Sequence, residues 1–258
     1  DLVCFPALNL KLNIDPIAFT ILGIDIYWYA LLITSAIAMG ILIFKKTDGL
    51  FGIKFEEIID LLIFLIPISI ISARLYYVMF DLKYFIKNPI QIFNIRTGGL
   101  AIYGGIIGGI ITCIVFCKKR KINILDLLDY LAPALALGQA IGRWGNFANI
   151  EAYGVETTLP WRMGIYEANK YVEVHPTFLY ESIATFIIFI VLMKKGKSRK
   201  FSGELTYIYC IMYGLERLIV EGLRTDSLML GPIRISQLVS FVILILGASL
   251  YVKNKKRG

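Results

Sequence analysis

Histidine occurs once, at His175, and the four cysteines, Cys4, Cys113, Cys117 and Cys210, show no CxxC spacing. A single histidine cannot complete a zinc site with them, and so few cysteines do not staple a small disulfide module. Charge is sparse too. Only 18% of the residues are Asp, Glu, Lys or Arg, against about a quarter in an ordinary soluble domain. No internal repeat and no low-complexity run is visible, which counts mildly against a repeat-built transporter. The glycine-rich stretch at 98–109 follows no strand-like run and is followed by no GK[ST], so it is not a nucleotide loop. Disorder, collagen and the ordinary cytosolic enzyme are thereby excluded.

What fills the chain is apolar sequence. Of 258 residues, 57% are hydrophobic, about 147 residues, and seven membrane spans of ~20 residues need about 140. Mean hydropathy is +0.70. With so much apolar sequence, the formal charge of +8 reads as membrane topology rather than as a nucleic-acid footprint, because juxtamembrane Lys and Arg fix orientation. The chain begins at Asp1 without Met; no cleavable signal peptide is expected in it, because its first apolar segment is itself long enough to span. The expected fold is an all-α polytopic membrane protein, a single membrane domain over 1–258.

Seven transmembrane helices are expected at about 26–44, 58–80, 98–117, 124–142, 177–193, 203–220 and 234–252. The connections 45–57, 118–123 and 194–202 and the tail 253–258 carry 16 of the 27 Lys and Arg. The positive-inside rule then places the N-terminus outside and the C-terminus in the cytoplasm, as an odd number of spans requires. The longest outward segment, 143–176, is polar, carries Trp144, Trp161, Pro160 and four acidic residues, and is expected to form a small outward-facing cap.

Polar residues inside spans cost ~2.5–3.5 kcal/mol each on insertion scales, so each needs a reason. Counted from the cytoplasmic ends at ~1.5 Å per residue, Tyr29, Arg74, Tyr103 and Arg217 come to a common height of ~20–25 Å. Arg143 closes the fourth span and Glu181 lies just inside the fifth. In the sixth, Tyr213, Arg217 and Glu221 fall on one helical face. Alone, Arg217 and Glu221 read as a membrane ion pair locking two helices. With Arg143, Arg74 and Glu181 at the same depth, phosphate recognition is the better reading, since guanidinium forks fit phosphate oxygens. Gly108 and Gly109 suit close helix packing, whereas the doubled glycines flanking Tyr103 suit a broken helix or the approach of a ligand. His175, just before Pro176 at the start of the fifth span, is more readily structural than a base.

The segment Gly142-Arg143-Trp144-Gly145-Asn146-Phe147-Ala148-Asn149-Ile150-Glu151-Ala152-Tyr153-Gly154 resembles the signature of the prolipoprotein diacylglyceryl transferases. In the same order, Tyr27-Trp28-Tyr29, Ser72 to Tyr77, Gly98 to Gly109, His175-Pro176-Thr177 with Tyr180-Glu181, and Tyr213 to Glu221 followed by Arg224-Thr225-Asp226 resemble its other motifs. The resemblance implies a seven-span enzyme of the bacterial plasma membrane, its active site towards the outer leaflet. Such enzymes move the diacylglyceryl group of phosphatidylglycerol onto the lipobox cysteine thiol of preprolipoprotein signal peptides, forming a thioether and releasing glycerol phosphate. It also implies functional roles for Tyr29, Asn146, Glu151, Gly154, Arg217 and Glu221, and places Arg143 at the phosphatidylglycerol site. Many members carry His, proposed as the base, where this chain has Tyr103; Tyr also occurs there, so membership stands while the base assignment does not.

The chemistry needs a stabilised leaving phosphate and a deprotonated thiol. Arg143 and Arg217 are the expected ligands of the leaving phosphate, and Arg74 and Gly154 are expected with them among the phosphatidylglycerol-binding residues. The same cations favour the thiolate. Glu151 or Glu221 is placed to accept the proton or to hold an arginine, Asn146 to orient phosphate or glycerol hydroxyls, and Tyr103 to donate a hydrogen bond or position the thiol. No metal, nucleotide or organic cofactor is expected, because the bond energy lies in the phospholipid; the surrounding partners are membrane lipids. The competing expectation is a phospholipid or anionic-solute membrane transporter, which would need polar groups through the full membrane depth, whereas the inner halves of these spans are almost entirely apolar.

Overall fold

A computed structural model describes residues 2–95, 98–168, 170–225, 229–231 and 233–256, without the side chains of Leu230 and Ile233. In chain order come strands β1 (Leu2–Phe5), β2 (Leu10–Asn13), β3 (Ile17–Ile21) and β4 (Ile24–Tyr27), then helices α1 (Trp28–Lys46), α2 (Phe55–Phe80), α3 (Leu82–Lys87), α4 (Ile102–Arg120) and α5 (Ile124–Ala148). Strands β5 (Met163–Glu167) and β6 (Lys170–Val174) follow, then α6 (Thr177–Gly196), α7 (Glu204–Val220), β7 (Met229–Leu230), β8 (Ile233–Arg234) and α8 (Ile235–Lys255). Six of these helices, α1, α2, α4, α5, α6 and α8, are long and apolar enough to cross a membrane. Helix α7 has 17 residues.

Long apolar runs become helices because only a helix satisfies every backbone N–H and C=O within one segment. Ile63, Phe64, Ile110, Ile111, Phe241 and Leu246 stand more than half exposed along them, a surface suited to hydrocarbon and costly in water. Helix ends carry matching charge. Glu56 and Glu57 open α2, where Glu57 accepts the Lys54 N–H at 2.9 Å, and Lys or Arg residues close α1, α4, α6 and α8; both complement the helix dipole.

The chain divides into two compact units, Phe44–Tyr130 and Asp1–Ile43 with Leu131–Gly258. In the first, α2 packs on α4. Glycines allow the backbones to approach: a Cβ at Gly108 would lie 2.6 Å from that of Ser72, and one at Gly104 would lie 2.5 Å from the Ser72 carbonyl oxygen. Helix α4 begins only at Ile102, four residues after the expected span start, because Gly98 and Gly99 have φ of +90° and +79°, a left-handed backbone that glycine adopts without strain.

The second unit departs from an all-α fold, which needs amending to mostly helical. Its four-stranded antiparallel sheet has the order β2-β1-β5-β6, with Cys4 opposite Gly164 at the β1–β5 junction. Val3, Met163, Ile165, Val172 and Val174 bury one face of the sheet against Phe178 of α6, and Phe147 stacks on Phe178 at 4.6 Å. The 143–176 segment therefore contributes strands to a sheet with the N-terminal residues. The sequence signal was present in the alternation of Lys170-Tyr171-Val172-Glu173-Val174, but strands of four and five residues are short beside the apolar spans. On the helical side, α7 packs between α6 and α8, and a Cβ at Gly214 would lie 2.8 Å from the Ser240 carbonyl oxygen.

Close packing at Gly108 makes a stability prediction. Gly108→Val must push α4 off α2 and should cost ~1–3 kcal/mol, read as a lower unfolding temperature in detergent. Gly138→Ala, where a Cβ meets no atom within 4 Å, should leave that temperature unchanged or higher. Equal behaviour of the two variants would contradict the packing account.

Candidate active site

Among the described residues, the densest group of buried charge lies where α5, α6 and α7 come together in the unit containing Leu131–Gly258. Glu181, in the second turn of α6, is 1% exposed. Its Oε1 accepts Nη1 of Arg217 at 2.9 Å and Nη1 of Arg224 at 3.2 Å, while Oε2 forms an ion pair with Nε of Arg143. Nη2 of Arg217 pairs in turn with Glu221, one turn further along the chain. Three guanidinium groups from three chain segments thus converge on one carboxylate. Each alone would be prohibitively costly in a dry interior, so removing one member exposes the rest.

A second polar chain leads away from Arg143. Its Nη1 approaches Oδ1 of Asn146 at 3.4 Å, Asn146 Nδ2 donates to Glu151 Oε1 at 2.9 Å, and Asn149 Nδ2 reaches the same oxygen at 3.3 Å. The backbone here is strained: Ile150 and Ala152, on either side of Glu151, have φ of +51° and +57°, which non-glycine residues adopt at a cost that surrounding structure must offset. The turn is pinned by Glu151 N–H donating to the Asn146 carbonyl at 3.0 Å and by Thr177 Oγ1 donating to the Ala152 carbonyl at 2.5 Å.

Gly154 has a packing role. Its N–H donates to the His175 carbonyl at 3.0 Å, and it bridges Arg224 in antiparallel fashion. A Cβ there would lie 2.7 Å from that of His175 and 3.0 Å from the Leu223 carbonyl oxygen. The glycine lets the signature segment and the Glu221–Arg224 segment run side by side. Arg234 extends this junction through hydrogen bonds from Nη1 to the carbonyls of Glu221 and Arg224.

Tyr29 opens α1, and its ring covers Gly145, where a Cβ would lie 2.5 Å from Cδ2. His175 sits in a hydrogen-bonded group, with Nδ1 3.2 Å from the Tyr180 hydroxyl, which accepts Trp161 Nε1–H at 2.8 Å. Burial pushes the imidazole below its ordinary value, because desolvation disfavours the charged form.

Of the residues singled out from sequence, Arg143, Asn146, Glu151, Arg217 and Glu221 are joined by these contacts; Tyr29 and Gly154 pack within the same unit. Arg74 and Tyr103 belong to Phe44–Tyr130. Tyr103 lies in the first turn of α4 and is exposed. Arg74 is buried and spends its guanidinium on main-chain carbonyls: Nε donates to Ile92, Nη1 to Gly98 and Gly99, and Nη2 to Gln91 and Asn94, over 2.6–3.0 Å. Tyr77 and Phe85 receive its faces at 5.6 and 5.2 Å. Arg74 thus serves as a clamp on residues 91–94 and 98–99, and its five donors leave none for a phosphate in this arrangement. Asp226, the end of the late motif, lies outside the described residues. Sequence reasoning gave Arg224 and Arg234 no role and missed Glu216. A carboxyl next to Arg217 in an apolar run was the available signal.

A mostly helical chain with several membrane-length helices is a polytopic membrane protein, and the buried arginine–carboxylate cluster is its candidate site. The family described as "Prolipoprotein diacylglyceryl transferase" matches residues 16–253, and the chain belongs to that family. It is 51% identical to the phosphatidylglycerol–prolipoprotein diacylglyceryl transferase of Finegoldia magna over 94% of this chain and 97% of that one. It is 46% identical to the enzyme of the same description from Clostridioides difficile over 95% and 98%, and 42% identical to that from Bacillus cereus over 95% and 94%.

Interlocked pairing predicts energetic coupling. Glu221→Leu alone should destabilise the protein by ~3–5 kcal/mol, because Arg217 keeps its charge and loses a buried partner. Arg217→Leu with Glu221→Leu should recover most of the unfolding temperature in detergent. Product formation should not recover if Arg217 holds phosphate. Restored turnover in the double variant would make the pair purely structural.

Proposed function

We propose that the chain transfers the diacylglyceryl group of phosphatidylglycerol to prolipoprotein, the first step of lipoprotein maturation, with the acceptor being the lipobox cysteine thiol of the signal peptide. The products are a thioether and glycerol phosphate. The observation that carries the mechanism is the sharing of Glu181 by Arg143 and Arg217. Two like charges are held side by side by one carboxylate, and a phosphodiester brought to them relieves their repulsion while offering oxygens in fork geometry. Arg143 is the more open of the two, its side chain 22% exposed against 13% for Arg217.

As the glyceryl carbon–oxygen bond breaks, charge gathers on the leaving phosphate, and guanidinium groups already in place need no reorganisation to stabilise it. The same cations favour the thiolate over the thiol, whose ordinary pKa of ~8.5 leaves only a few per cent ionised at pH 7. Asn146, held by Glu151, is the neutral group beside Arg143 best suited to a headgroup oxygen. Seven spans, counting α7 with the helical turn Glu221–Leu223 that continues it, put the basic ends of α1, α4, α6 and α8 on one side under the positive-inside rule. That side is the cytoplasm of a bacterial plasma membrane, and the cluster then opens towards the outer leaflet, where the acyl tails remain in lipid. Tyr103 acts as a hydrogen-bond donor to phosphate or a glycerol oxygen, or positions the thiol.

The direct test is a covalent product. Incubation of the purified protein with phosphatidylglycerol and a lipobox peptide should add a diacylglyceryl mass to the peptide, and its absence would refute the assignment. Arg143→Ala should lower the rate ~100-fold or more with the fold intact, while Arg143→Lys recovers only part, because an ammonium lacks the fork. Near-parental turnover of the alanine variant would remove Arg143 from the site.

A separate substitution series addresses Tyr103. Tyr103→Phe should reduce the rate by the ~0.5–3 kcal/mol of one hydrogen bond, and Tyr103→His should keep substantial activity, since imidazole also donates. A fully folded but inactive Tyr103→Phe, with parental activity rising along one tyrosine-like titration, would instead make the phenolate the base.

A further inference from the structure

Glu216 follows the three-arginine cluster's carboxylates in chemistry but not in pairing. It lies on α7 next to Arg217, is 9% exposed, and neither of its carboxylate oxygens has a hydrogen-bond partner among the described residues. A buried carboxylate without donors is expensive to maintain, so its presence asks for a role. It interacts electrostatically with Glu181 of α6, Arg143 of α5, and Arg217 and Arg224. Tyr213 and Tyr209, one and two turns earlier on α7, also interact electrostatically with it.

The other carboxylates are engaged. Glu181 holds Arg143, Arg217 and Arg224; Glu221 holds Arg217; Glu151 accepts from Asn146 and Asn149. Each of these has at least one oxygen engaged by an N–H donor, whereas Glu216 has neither oxygen engaged among the described residues. A carboxylate with both oxygens free of donors is the one on which an added proton displaces no existing hydrogen bond. We infer that the proton released by the attacking thiol ends on Glu216. The inference rests on the transferase reading above.

The step balances. The S–H bond breaks and sulfur bonds to the glyceryl carbon; the carbon–oxygen bond to the phosphate breaks with its electron pair on the phosphate oxygen; the proton passes to the Glu216 carboxylate. The phosphate goes from one negative charge as a diester to two as glycerol phosphate. In the same step Glu216 loses its negative charge beside Arg143 and Arg217, which frees guanidinium charge for the leaving group as it is needed. Because the carboxylate oxygens are enclosed, the proton arrives through a neighbouring side chain. The half-buried Tyr213 interacts electrostatically with Glu216, Arg143 and Arg217, and its hydroxyl can take one proton while giving up another.

The test compares thioether formation by the parent and by Glu216→Gln, on phosphatidylglycerol and a lipobox peptide, from pH 7 to 9.5. At pH 7 the variant should be slower ~100-fold or more. By pH 9.5 the deficit should shrink, by about thirty-fold at most, because a thiol of ordinary pKa ~8.5 goes from a few per cent to about nine-tenths ionised and the arginines that favour the thiolate reduce the gain still to be made. If Glu216→Gln does not fold, Glu216→Asp against Glu216→Asn makes the same comparison, with the aspartate variant the faster at pH 7. A deficit that stays constant with pH, or parental turnover of the glutamine variant at pH 7, overturns the inference while the transferase reading stands. Failure of the parent to form any thioether overturns both.

Discussion

Glu181 is the constraint on which the helical half of the larger unit depends. Its single carboxylate neutralises guanidinium groups from α5, from α7 and from the segment after α7. Ion pairs of this kind gain little over an apolar core of the same shape, yet losing one partner leaves an uncompensated charge in a dry interior. The arrangement therefore contributes specificity of position more than stability. Arg143, Arg217 and Arg224 can satisfy their charge together only in this geometry, so the helices that carry them are held in one register. Rigidity of this kind is what the proposed stabilisation of a leaving phosphate requires.

Around the cluster, backbone proximity is set by residues without side chains. Gly154 lets the signature segment lie against Leu223, and Gly145 lets Tyr29 cover α5. Each is a place where a methyl group would displace a neighbour by a large fraction of an ångström, and interiors packed at crystal density transmit such shifts. The strained pair Ile150 and Ala152 belongs to the same design. Tight hydrogen bonds from Glu151 and Thr177 hold the turn, and the outcome is an asparagine and a glutamate presented beside Arg143.

Arg74 illustrates how a charge in a span can serve structure while looking like a ligand. By composition it is one more arginine at headgroup depth. In the structure it draws five main-chain carbonyls and two aromatic faces around itself and shapes the connection between α3 and α4. Carbonyls left unpaired near hydrocarbon are costly, and one guanidinium satisfies several because its donors radiate in a plane.

Much was fixed by the sequence alone, because the physics involved is local or compositional. Helices fall where apolar runs are long enough to span, since no other backbone satisfies itself in lipid, and charged residues in those runs had to be important because each is expensive there. Arg143, Arg217 and Glu221 could be named as candidates on that ground, and the signature segment pointed to the family to which the chain belongs. Tertiary structure decided what depends on distance between remote segments. Only there does Glu181 collect three arginines, β1 join β5 across some 160 residues of chain, Arg74 turn inward to carbonyls, and Glu216 stand without a hydrogen-bond partner among the described residues. A residue's type sets what it can bind; which partners reach it follows from packing, and packing is a property of the whole fold.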